Sequence, residues 1–329
     1  MTPRRGVALL AALWLVVAIA AVALQFSLEA HERRTVGILA SERGQQRALA
    51  TGALALMRAR MDQALRLAPT GNNVAILRAS DPWLDVDSSF SGPVLVDSME
   101  VDVVAHDLGE KLNINTLNEN EIRTFFSFLL GDFTKATQLS QTILDWRDTD
   151  TIPRPSGAER DAYIKEERLA LPTNSQFREL EDLQNVMGMT PEIYAQAAPY
   201  LTIRGSGQVN VNVAPVPVLR ALPGMTDATL NRILMLRSQG RRIRDASEIF
   251  PTLQQQQQQG RGGRPIAGQV TSQALITQFQ ARIATTTNDV ELTFTARVGP
   301  QAQPTKLTAW VRRAGNGPNS STVIQYQQW

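Results

Sequence analysis

The chain has 329 residues, of which 43% are hydrophobic and 19% are charged, so it can bury a sizeable core in one or two domains beside a membrane anchor. Its 33 basic and 31 acidic side chains nearly cancel, and the sequence lacks the clustered basic excess of a nucleic-acid-binding domain. It contains no cysteine, which excludes disulfides, a thiol nucleophile and a cysteine-based zinc site. Its two histidines, His31 and His106, have no metal-binding neighbours in the sequence and are expected to be ordinary surface residues.

The first predicted element is an apolar helix that follows Arg4 and Arg5. Residues 7–24 carry no charged or polar side chain, and the uncharged run continues to residue 28. Such a segment is long enough to cross a hydrocarbon core of about 30 Å. The preceding arginines predict that the first residues stay in the cytoplasm and that everything after the helix lies outside, in the periplasm of a Gram-negative cell. We therefore predict a single-pass inner-membrane protein whose transmembrane helix comprises residues 7–28.

The alternative to a retained anchor is a cleaved secretory signal peptide, for which Ala18, Ala20 and Ala23 offer small residues near the end of the apolar run. However, Arg5-Gly6 lies before that run, whereas a secretory cleavage site follows it. This arrangement resembles the leader of the type IV prepilins, with residues 1–6 as the leader. The resemblance implies that prepilin peptidase cuts between Gly6 and Val7 and that the apolar helix remains on the mature protein.

One residue departs from the prepilin pattern and indicates which class of prepilin-like protein this sequence resembles. Most members of that family carry a glutamate at the fifth mature position, thought to pair with the terminal amine of a neighbouring subunit, and this sequence has Ala11 there. A carboxylate in hydrocarbon costs several kcal/mol unless it is paired, so a subunit without it needs no neighbour on that side. In this respect the sequence resembles the K-type minor pseudopilin of type II secretion systems, which is thought to cap the filament tip.

The helical pattern continues beyond the membrane. Ala50, Leu54, Met57, Met61 and Leu65 follow one another at steps of three and four residues until the break at residues 69–71. If continuous, residues 7–67 form a helix about 90 Å long. A helix that lies half in the membrane and half on a globular head is typical of pilins.

The remainder of the chain predicts strands that flank a block of helices. Alternating or β-branched patterns predict strands within residues 94–104, with a break at Asp97-Ser98, and at residues 289–298, 305–312 and 321–326. The predicted helices are residues 119–130, 134–146, 174–186, 191–198, 216–222 and 227–238. We therefore predict an α+β, type IV pilin-like fold. Its helix and first strands (29–111) are separated from its last antiparallel strands (284–329) by an inserted all-α domain (112–283). Within that domain, the glutamine-rich residues 254–264 predict a disordered loop.

The helical block contains a faint duplication that raises a second functional hypothesis. Residues 112–125 and 209–222 share an Asn-x-Asn step followed by a predicted helix, and residues 209–250 resemble a helix-hairpin-helix module of DNA-uptake receptors. A membrane-anchored DNA-binding protein is therefore the alternative, supported by Arg237, Arg241, Arg242 and Arg244. Against it, the two glycines of the phosphate-binding turn are here Gly224 and Thr226, and a side chain at the second position obstructs the backbone contact. We predict no nucleic-acid partner.

The most specific local signal is a carboxylate-rich loop at residues 145–163. Five acids surround a turn rich in proline and glycine: Asp145, Asp148, Asp150, Glu159 and Asp161. Calcium takes six to eight oxygen ligands, so such a loop can surround one ion, although spacing alone equally allows a helix end with solvated acids. The order D-W-x-D-x-D, followed by G-A-E-x-x-x-Y, is similar to the signature of the K-type pseudopilins, and this resemblance implies calcium with ligands among these five residues.

The functional prediction is therefore assembly, with no enzymatic activity. Motifs such as G-x-S-x-G, H-E-x-x-H and the P-loop are absent from the sequence, although a calcium-dependent hydrolase remains as an enzymatic alternative. The resemblance implies a minor pseudopilin that starts and caps the type II secretion pseudopilus. Its implied partners are the I-type and J-type minor pseudopilins, prepilin peptidase, the inner membrane and, at the tip, the secretin or the exported protein.

Overall fold

The computed structural model describes residues 4–67, 82–249, 277–299, 302–314 and 321–329. The predicted disordered loop at residues 254–264 lies outside these residues. The described residues form a long helix, a five-stranded sheet and a helical block, and the buried apolar side chains fall into two clusters. One cluster lies between the helix and the sheet, and the other lies within the helical block.

The long helix, α1, comprises Arg4–Leu67. In its carboxyl-terminal part the predicted apolar stripe is buried against the sheet: Leu49, Ala50, Ala53, Leu54, Met57, Met61 and Leu65. In its amino-terminal part the large apolar side chains from Leu10 to Leu39 are exposed. The helix is thus divided, as predicted, into one half that packs on the head and one apolar half whose large side chains are exposed among the described residues.

The sheet has five strands, and each strand is antiparallel to its neighbours. Asp97 and Ser98, both with positive φ (47° and 68°), form the two-residue turn between the first two strands. Positive φ at both positions matches the right-handed twist of a tight hairpin. In their order across the sheet, the five strands are β1 (Gly92–Val96), β2 (Met99–Asp107), β7 (Asp289–Ala296), β8 (Thr305–Ala314) and β9 (Ser321–Gln328).

The helical block is built from two units that repeat one plan. In the first unit, residues 112–202, short strand β3 pairs in parallel with β4. In the second unit, residues 209–284, β5 pairs in parallel with β6. The elements of the first unit are β3 (Leu112–Asn113), α3 (Glu119–Leu130), α4 (Phe133–Arg147), α5 (Arg160–Lys165), α6 (Pro191–Ala197) and β4 (Leu201–Thr202). Those of the second are β5 (Val209–Asn210), α7 (Val216–Arg220), α8 (Asp227–Ser238) and β6 (Ile283–Ala284).

A short helix α2 (Val86–Phe90) precedes the sheet, and single 3-10 turns lie at Pro82–Leu84, Leu108–Glu110, Leu180–Asn185, Ala198–Tyr200 and Ala246–Glu248.

The predicted helix at residues 174–186 is wrong. Only the 3-10 turn Leu180–Asn185 forms there. Asn174 has a φ of +47°, and the Phe177 N–H donates to the Asn115 side chain (2.9 Å) instead of to a helical carbonyl. A distant asparagine therefore directs this backbone away from a helix.

Two buried carboxylates join the helical block to the sheet. Asp107, the last residue of β2, accepts hydrogen bonds from the Asn210 side chain (2.7 Å) and the Thr287 hydroxyl (2.6 Å). Asp289, the first residue of β7, accepts from the Ser206 N–H (2.8 Å) and from Arg312 Nε (2.6 Å). Burial raises the pKa of Asp107, and its hydrogen bonds oppose that rise. The chain thus leaves and re-enters the sheet at one end of two neighbouring strands.

This end of the sheet lies beside the carboxyl-terminal part of α1. At the other end of β8, the Thr305 hydroxyl donates to Gln46 (2.6 Å). At the end where the block joins, Thr322 of β9 lies near Arg312 and Arg313 of β8, and its N–H donates to Asp62 (2.6 Å). Since Asp62 follows Gln46 along the helix, the helical block lies at the end of the sheet that is farther from the exposed apolar half of α1.

Candidate functional site

The carboxylate-rich loop begins where α4 ends, and buried aromatic side chains pack against one another at its base. Trp146 is 2% exposed, and its ring stacks on Phe177 (centroids 6.3 Å apart, interplanar angle 2°) and tilts against Tyr163 (5.6 Å). The Tyr163 hydroxyl accepts a hydrogen bond from the Met187 N–H (2.8 Å). Burial raises the pKa of Tyr163 to about 12, so the phenol remains neutral. These contacts anchor both ends of the loop in the core of the first unit.

Hydrogen bonds to α4 and to a neighbouring loop fix the course of the chain between Asp148 and Glu159. The Gln141 side chain accepts from the Ser156 N–H (2.6 Å). Asp150 accepts from the Ile152 N–H (2.9 Å), and its carbonyl accepts from the Asn174 side chain. The backbone of the loop therefore has a defined course.

Three of the five predicted acids come together. Oxygens of Asp148, Asp150 and Glu159 lie within 4.8 Å of one another. Two oxygens bound to one calcium ion at 2.3 to 2.6 Å can be at most about 5 Å apart, so this spacing fits a shared ion. Since the three ligands are all carboxylates, the chemistry favours calcium or magnesium over softer metals.

Glu159 distinguishes the cluster from an ordinary group of solvated acids. Its residue is only 6% exposed, yet neither carboxylate oxygen has a hydrogen-bond donor, and the same holds for Oδ1 of Asp148. Burial raises the pKa of Glu159, and the nearby carboxylates of Asp145, Asp148 and Asp150 raise it further. Buried carboxylate oxygens without donors are costly, and a bound divalent ion would satisfy them.

The other two predicted acids stand apart from this group. Asp145 is fully buried, and its oxygens accept from Arg154 Nη1 (2.5 Å) and the Arg154 N–H (3.1 Å). Burial raises the pKa of Asp145, opposed by its bonds to Arg154. Asp161 is exposed on α5 and outside the cluster. Sequence reasoning missed Arg154, although its place between two prolines in the middle of the acids was a signal.

The structure confirms the faint duplication, down to individual side chains. In the first unit Asn115 accepts from the Phe177 N–H (2.9 Å) and donates to its carbonyl (3.0 Å). In the second unit Asn212 does the same with Ile243 (2.8 and 2.9 Å).

An arginine near the end of the second helix completes each unit. Arg147 donates to the carbonyls of Ile114 and Leu117, and Arg237 donates to those of Val211 and Ala214 (2.5 to 2.9 Å). Burial lowers the pKa of Arg147 to about 10, so this side chain remains charged at neutral pH. Burial also lowers the pKa of Arg237.

This arrangement bears on the helix-hairpin-helix hypothesis. Arg237, the first member of the proposed basic patch, is committed to backbone carbonyls inside the second unit. Gly224 has a φ of +72°, as a tight turn between α7 and α8 requires, but Thr226 caps α8 by accepting from the Thr229 N–H (3.1 Å). The helical hairpin is present. However, Arg237 binds carbonyls of its own unit, and Thr226 caps a helix where the DNA-binding motif has its second glycine.

The second candidate surface is the apolar half of α1. Among the described residues, one helix is long and apolar enough to cross a membrane, at Ala12–Arg66, and its most apolar window is not buried. Its exposed apolar side chains include Trp14 (70%) and Phe26 (72%). An exposed apolar segment of this kind is long enough to cross a bilayer, and it also offers a surface for packing against other helices.

Comparisons with known proteins point to a single family. A family model for protein K of the type II secretion system (T2SS) matches residues 110–206, which cover the first unit and the carboxylate-rich loop. A type II secretion system protein K from Dickeya chrysanthemi is 30% identical over 100 residues, covering 29% of this chain and 27% of that protein. One from Pectobacterium carotovorum subsp. carotovorum is 27% identical over 160 residues, covering 43% and 47%. The matches thus span less than half the length of these relatives.

The structural comparison covers nearly the whole chain. A chain in the crystal structure of the GspK-GspI-GspJ complex from the enterotoxigenic Escherichia coli type 2 secretion system aligns with a TM-score of 0.64 and 15% sequence identity. It covers 90% of this chain and 98% of that chain. At this identity the alignment speaks for the fold, and it confirms the α+β, pilin-like prediction.

Proposed function

We propose that the chain belongs to the type II secretion system protein K family, to which it is similar in sequence and fold, and that it serves as a minor pseudopilin at the tip of the pseudopilus. The observation that carries this proposal is the place of the helical block. The block joins the sheet at Asp107 and Asp289, beside the carboxyl-terminal part of α1. In a filament of parallel helices, that end of the head faces away from the membrane, so the block obstructs a further subunit above it.

Assembly depends on the two halves of α1 in this proposal. The apolar half anchors the chain once in the inner membrane, with the head in the periplasm, and then packs against sister helices in the filament. Ala11 leaves the fifth mature position uncharged, which suits a subunit without a neighbour on that side. The domain division that we propose is a leader (1–6), the membrane helix (7–28), and a pilin-like head interrupted by an α-domain (112–283).

The partners we propose are the I-type and J-type minor pseudopilins, with which this chain would initiate the filament. The test is co-purification of the tagged full chain from detergent with each of these subunits and with the major pseudopilin. A stable complex with the two minor subunits, formed in preference to one with the major subunit, is expected. Stable binding to the major subunit alone would contradict a tip position.

Processing by prepilin peptidase is the second part of the proposal. Gly6→Val is expected to leave an unprocessed precursor that is six residues longer than the mature protein, detectable by mass spectrometry in cells with the peptidase. Gly37→Val is the matched control, because it makes the same change in α1 where a side chain meets nothing within 4 Å. A wild-type chain that keeps residues 1–6, so that it differs from Gly6→Val only by the mass of the substitution, would refute processing at this site.

We also propose that Asp148, Asp150 and Glu159 hold a calcium ion. The ion would supply the positive charge that satisfies the donor-free oxygens of Glu159 and Asp148 and would stiffen the loop. Calcium is expected to raise the melting temperature of the full chain relative to EGTA, and Asp150→Asn is expected to reduce this rise. Asp161→Asn, an exposed acid outside the cluster, is the control. Identical melting in calcium and EGTA would remove calcium from the proposal.

A further inference from the structure

A cation is already built into the carboxylate-rich loop. Arg154 Nη1 lies 2.5 Å from Asp145 Oδ1 and 2.5 Å from Asp148 Oδ2. The Arg154 backbone N–H also donates to Asp145 Oδ2 (3.1 Å). One residue thus occupies both oxygens of the fully buried Asp145 and one oxygen of Asp148, which belongs to the proposed calcium site.

The backbone holds this arginine in place. Pro153 and Pro155 flank it, and each proline restricts its own φ and disfavours helical conformations in the residue before it. The Arg154 carbonyl accepts from the Gly157 N–H (2.9 Å), which closes a turn. The backbone that carries the guanidinium is therefore restricted in its conformation.

The two sides of the cluster differ in how their charges are balanced. On one side, Asp145 has Arg154 as its counter-ion. On the other side, Glu159 is 6% exposed and has no donor on either oxygen, and Oδ1 of Asp148 also lacks one. Asp148 connects the two sides, because its Oδ2 bonds to the arginine while its Oδ1 is left for a second cation.

We propose that Arg154 is an internal counter-ion that lowers the affinity of the loop for calcium. It binds Asp145, which therefore does not act as a calcium ligand, and it competes with calcium for Asp148. This inference rests on the proposed calcium site. The physical basis is electrostatic: a fixed positive charge a few ångströms from a divalent cation repels it. In addition, the negative charge of Asp145 is already balanced by the arginine to which both of its oxygens are bonded. The arginine thereby restricts the ion to the three carboxylates of Asp148, Asp150 and Glu159 and keeps the loop folded without metal.

The test compares calcium binding by the full chain in detergent with binding by Arg154→Gln, using calorimetry. Arg154→Gln is expected to bind calcium about tenfold more tightly. Arg160→Gln removes the same charge from the exposed side chain of the residue next to Glu159, and its dissociation constant is expected to stay within about twofold of the wild-type value. Adding Asp145→Asn to Arg154→Gln is expected to cancel most of the gain, because Asp145 is the ligand released.

Melting temperatures provide a readout independent of calcium affinity. In EGTA, Arg154→Gln is expected to melt well below the wild-type chain because Asp145 loses its counter-ion, and calcium is expected to restore most of the difference. If Arg154→Gln does not fold even with calcium, Arg154→Lys decides. Lysine keeps the positive charge but lacks the planar guanidinium, so it should hold Asp145 and Asp148 less firmly than the arginine does. We therefore expect Arg154→Lys to bind calcium more tightly than the wild-type chain.

The outcomes separate this inference from the calcium proposal. Unchanged or weaker calcium affinity in Arg154→Gln, with a wild-type chain that binds calcium, would overturn the role of Arg154 and leave the calcium site standing. Binding by Arg154→Gln alone would support the role of Arg154 and reject calcium as a partner of the wild-type chain. Absence of binding in both, with equal melting in EGTA, would overturn both.

Discussion

The two units of the helical block share a scaffold and differ in one connection. In each, an asparagine binds the backbone of one residue downstream of the second helix, Phe177 for Asn115 and Ile243 for Asn212. In the second unit the chain reaches Ile243 six residues after Arg237. In the first unit Phe177 lies thirty residues after Arg147. The additional chain is the carboxylate-rich loop and α5, so the site is a lengthened connection on a duplicated scaffold.

This comparison separates residues that hold the fold from residues that make the site. The arginine at the end of the second helix is buried against carbonyls in both units, so it belongs to the scaffold. Arg154, Glu159 and Gly157 lie only in the lengthened connection of the first unit. Changes in scaffold residues should therefore affect stability in both units, whereas changes in site residues should also alter the response to calcium.

The largest expected effect comes from Gly157→Ala. A Cβ at this position would lie 1.9 Å from Asp145 Oδ2 and 2.8 Å from its Cγ, and the aspartate cannot withdraw because it is buried and bonded to Arg154. Breaking that buried pair should cost at least about 3 kcal/mol in the free energy of unfolding and abolish the melting shift with calcium.

The matched control in the second unit is Gly240→Ala. Gly240 has a φ of +66° but nothing within 4 Å of its Cβ position, so the cost should be only about 1 kcal/mol, from the left-handed backbone. Chemical unfolding of both variants, with and without calcium, measures the difference. Equal losses at the two glycines would contradict the close approach of the loop to Asp145.

The next effect compares the two scaffold asparagines. Asn115→Ala and Asn212→Ala each leave a backbone N–H and carbonyl without their partner, so each should cost about 2–3 kcal/mol. The cost should be greater at Asn212, whose two donated bonds are both 2.9 Å, whereas those of Asn115 are 3.0 and 3.5 Å.

The two variants should differ in their calcium response. Asn115 positions Phe177, which stacks on Trp146 at the base of the loop, so Asn115→Ala should weaken calcium binding. Asn212→Ala should leave the calcium affinity unchanged, as measured by calorimetry under conditions where both variants are folded. Loss of calcium affinity in Asn212→Ala alone would reverse the division between scaffold and site.

Local sequence patterns predicted most of the regular elements. The boundaries predicted for α3 and α8 match the structure, and the Asp97-Ser98 break lies at the hairpin turn. These elements are encoded by nearby residues: Asn118 and Glu121 form a capping box at the start of α3, and Gly131 ends it in a left-handed conformation.

What the sequence did not predict depends on contacts between distant residues. The false helix at residues 174–186 has a helical pattern, but Asn115 takes the backbone of Phe177. Five acids were equivalent in the sequence, and only folding shows that Asp145 faces Arg154 while Glu159 is buried without a donor. A signal for the scaffold arginines was available, because an arginine near the end of the second helix follows each Asn-x-Asn step.

The smallest expected effect has a sign that tests the site itself. Because burial and the neighbouring acids raise the pKa of Glu159 in the folded state, its ionised form destabilises the protein when metal is absent. Glu159→Gln should therefore stabilise the chain in EGTA at pH 7 and remove the stabilisation by calcium.

The advantage of Glu159→Gln over the wild-type chain in EGTA should grow with pH. A folded-state pKa above the unfolded value means that the wild-type carboxyl loses stability as pH rises from the ordinary glutamate range towards its raised pKa. Unfolding at pH 5 and pH 7 in EGTA measures this trend, and Asp161→Asn, which removes an exposed acid of the same loop, should change stability by less than about 0.5 kcal/mol. If Glu159→Gln is less stable than the wild-type chain in EGTA, the Glu159 carboxylate has a favourable partner other than a metal ion, and the first unit carries a structural loop in place of a cation site.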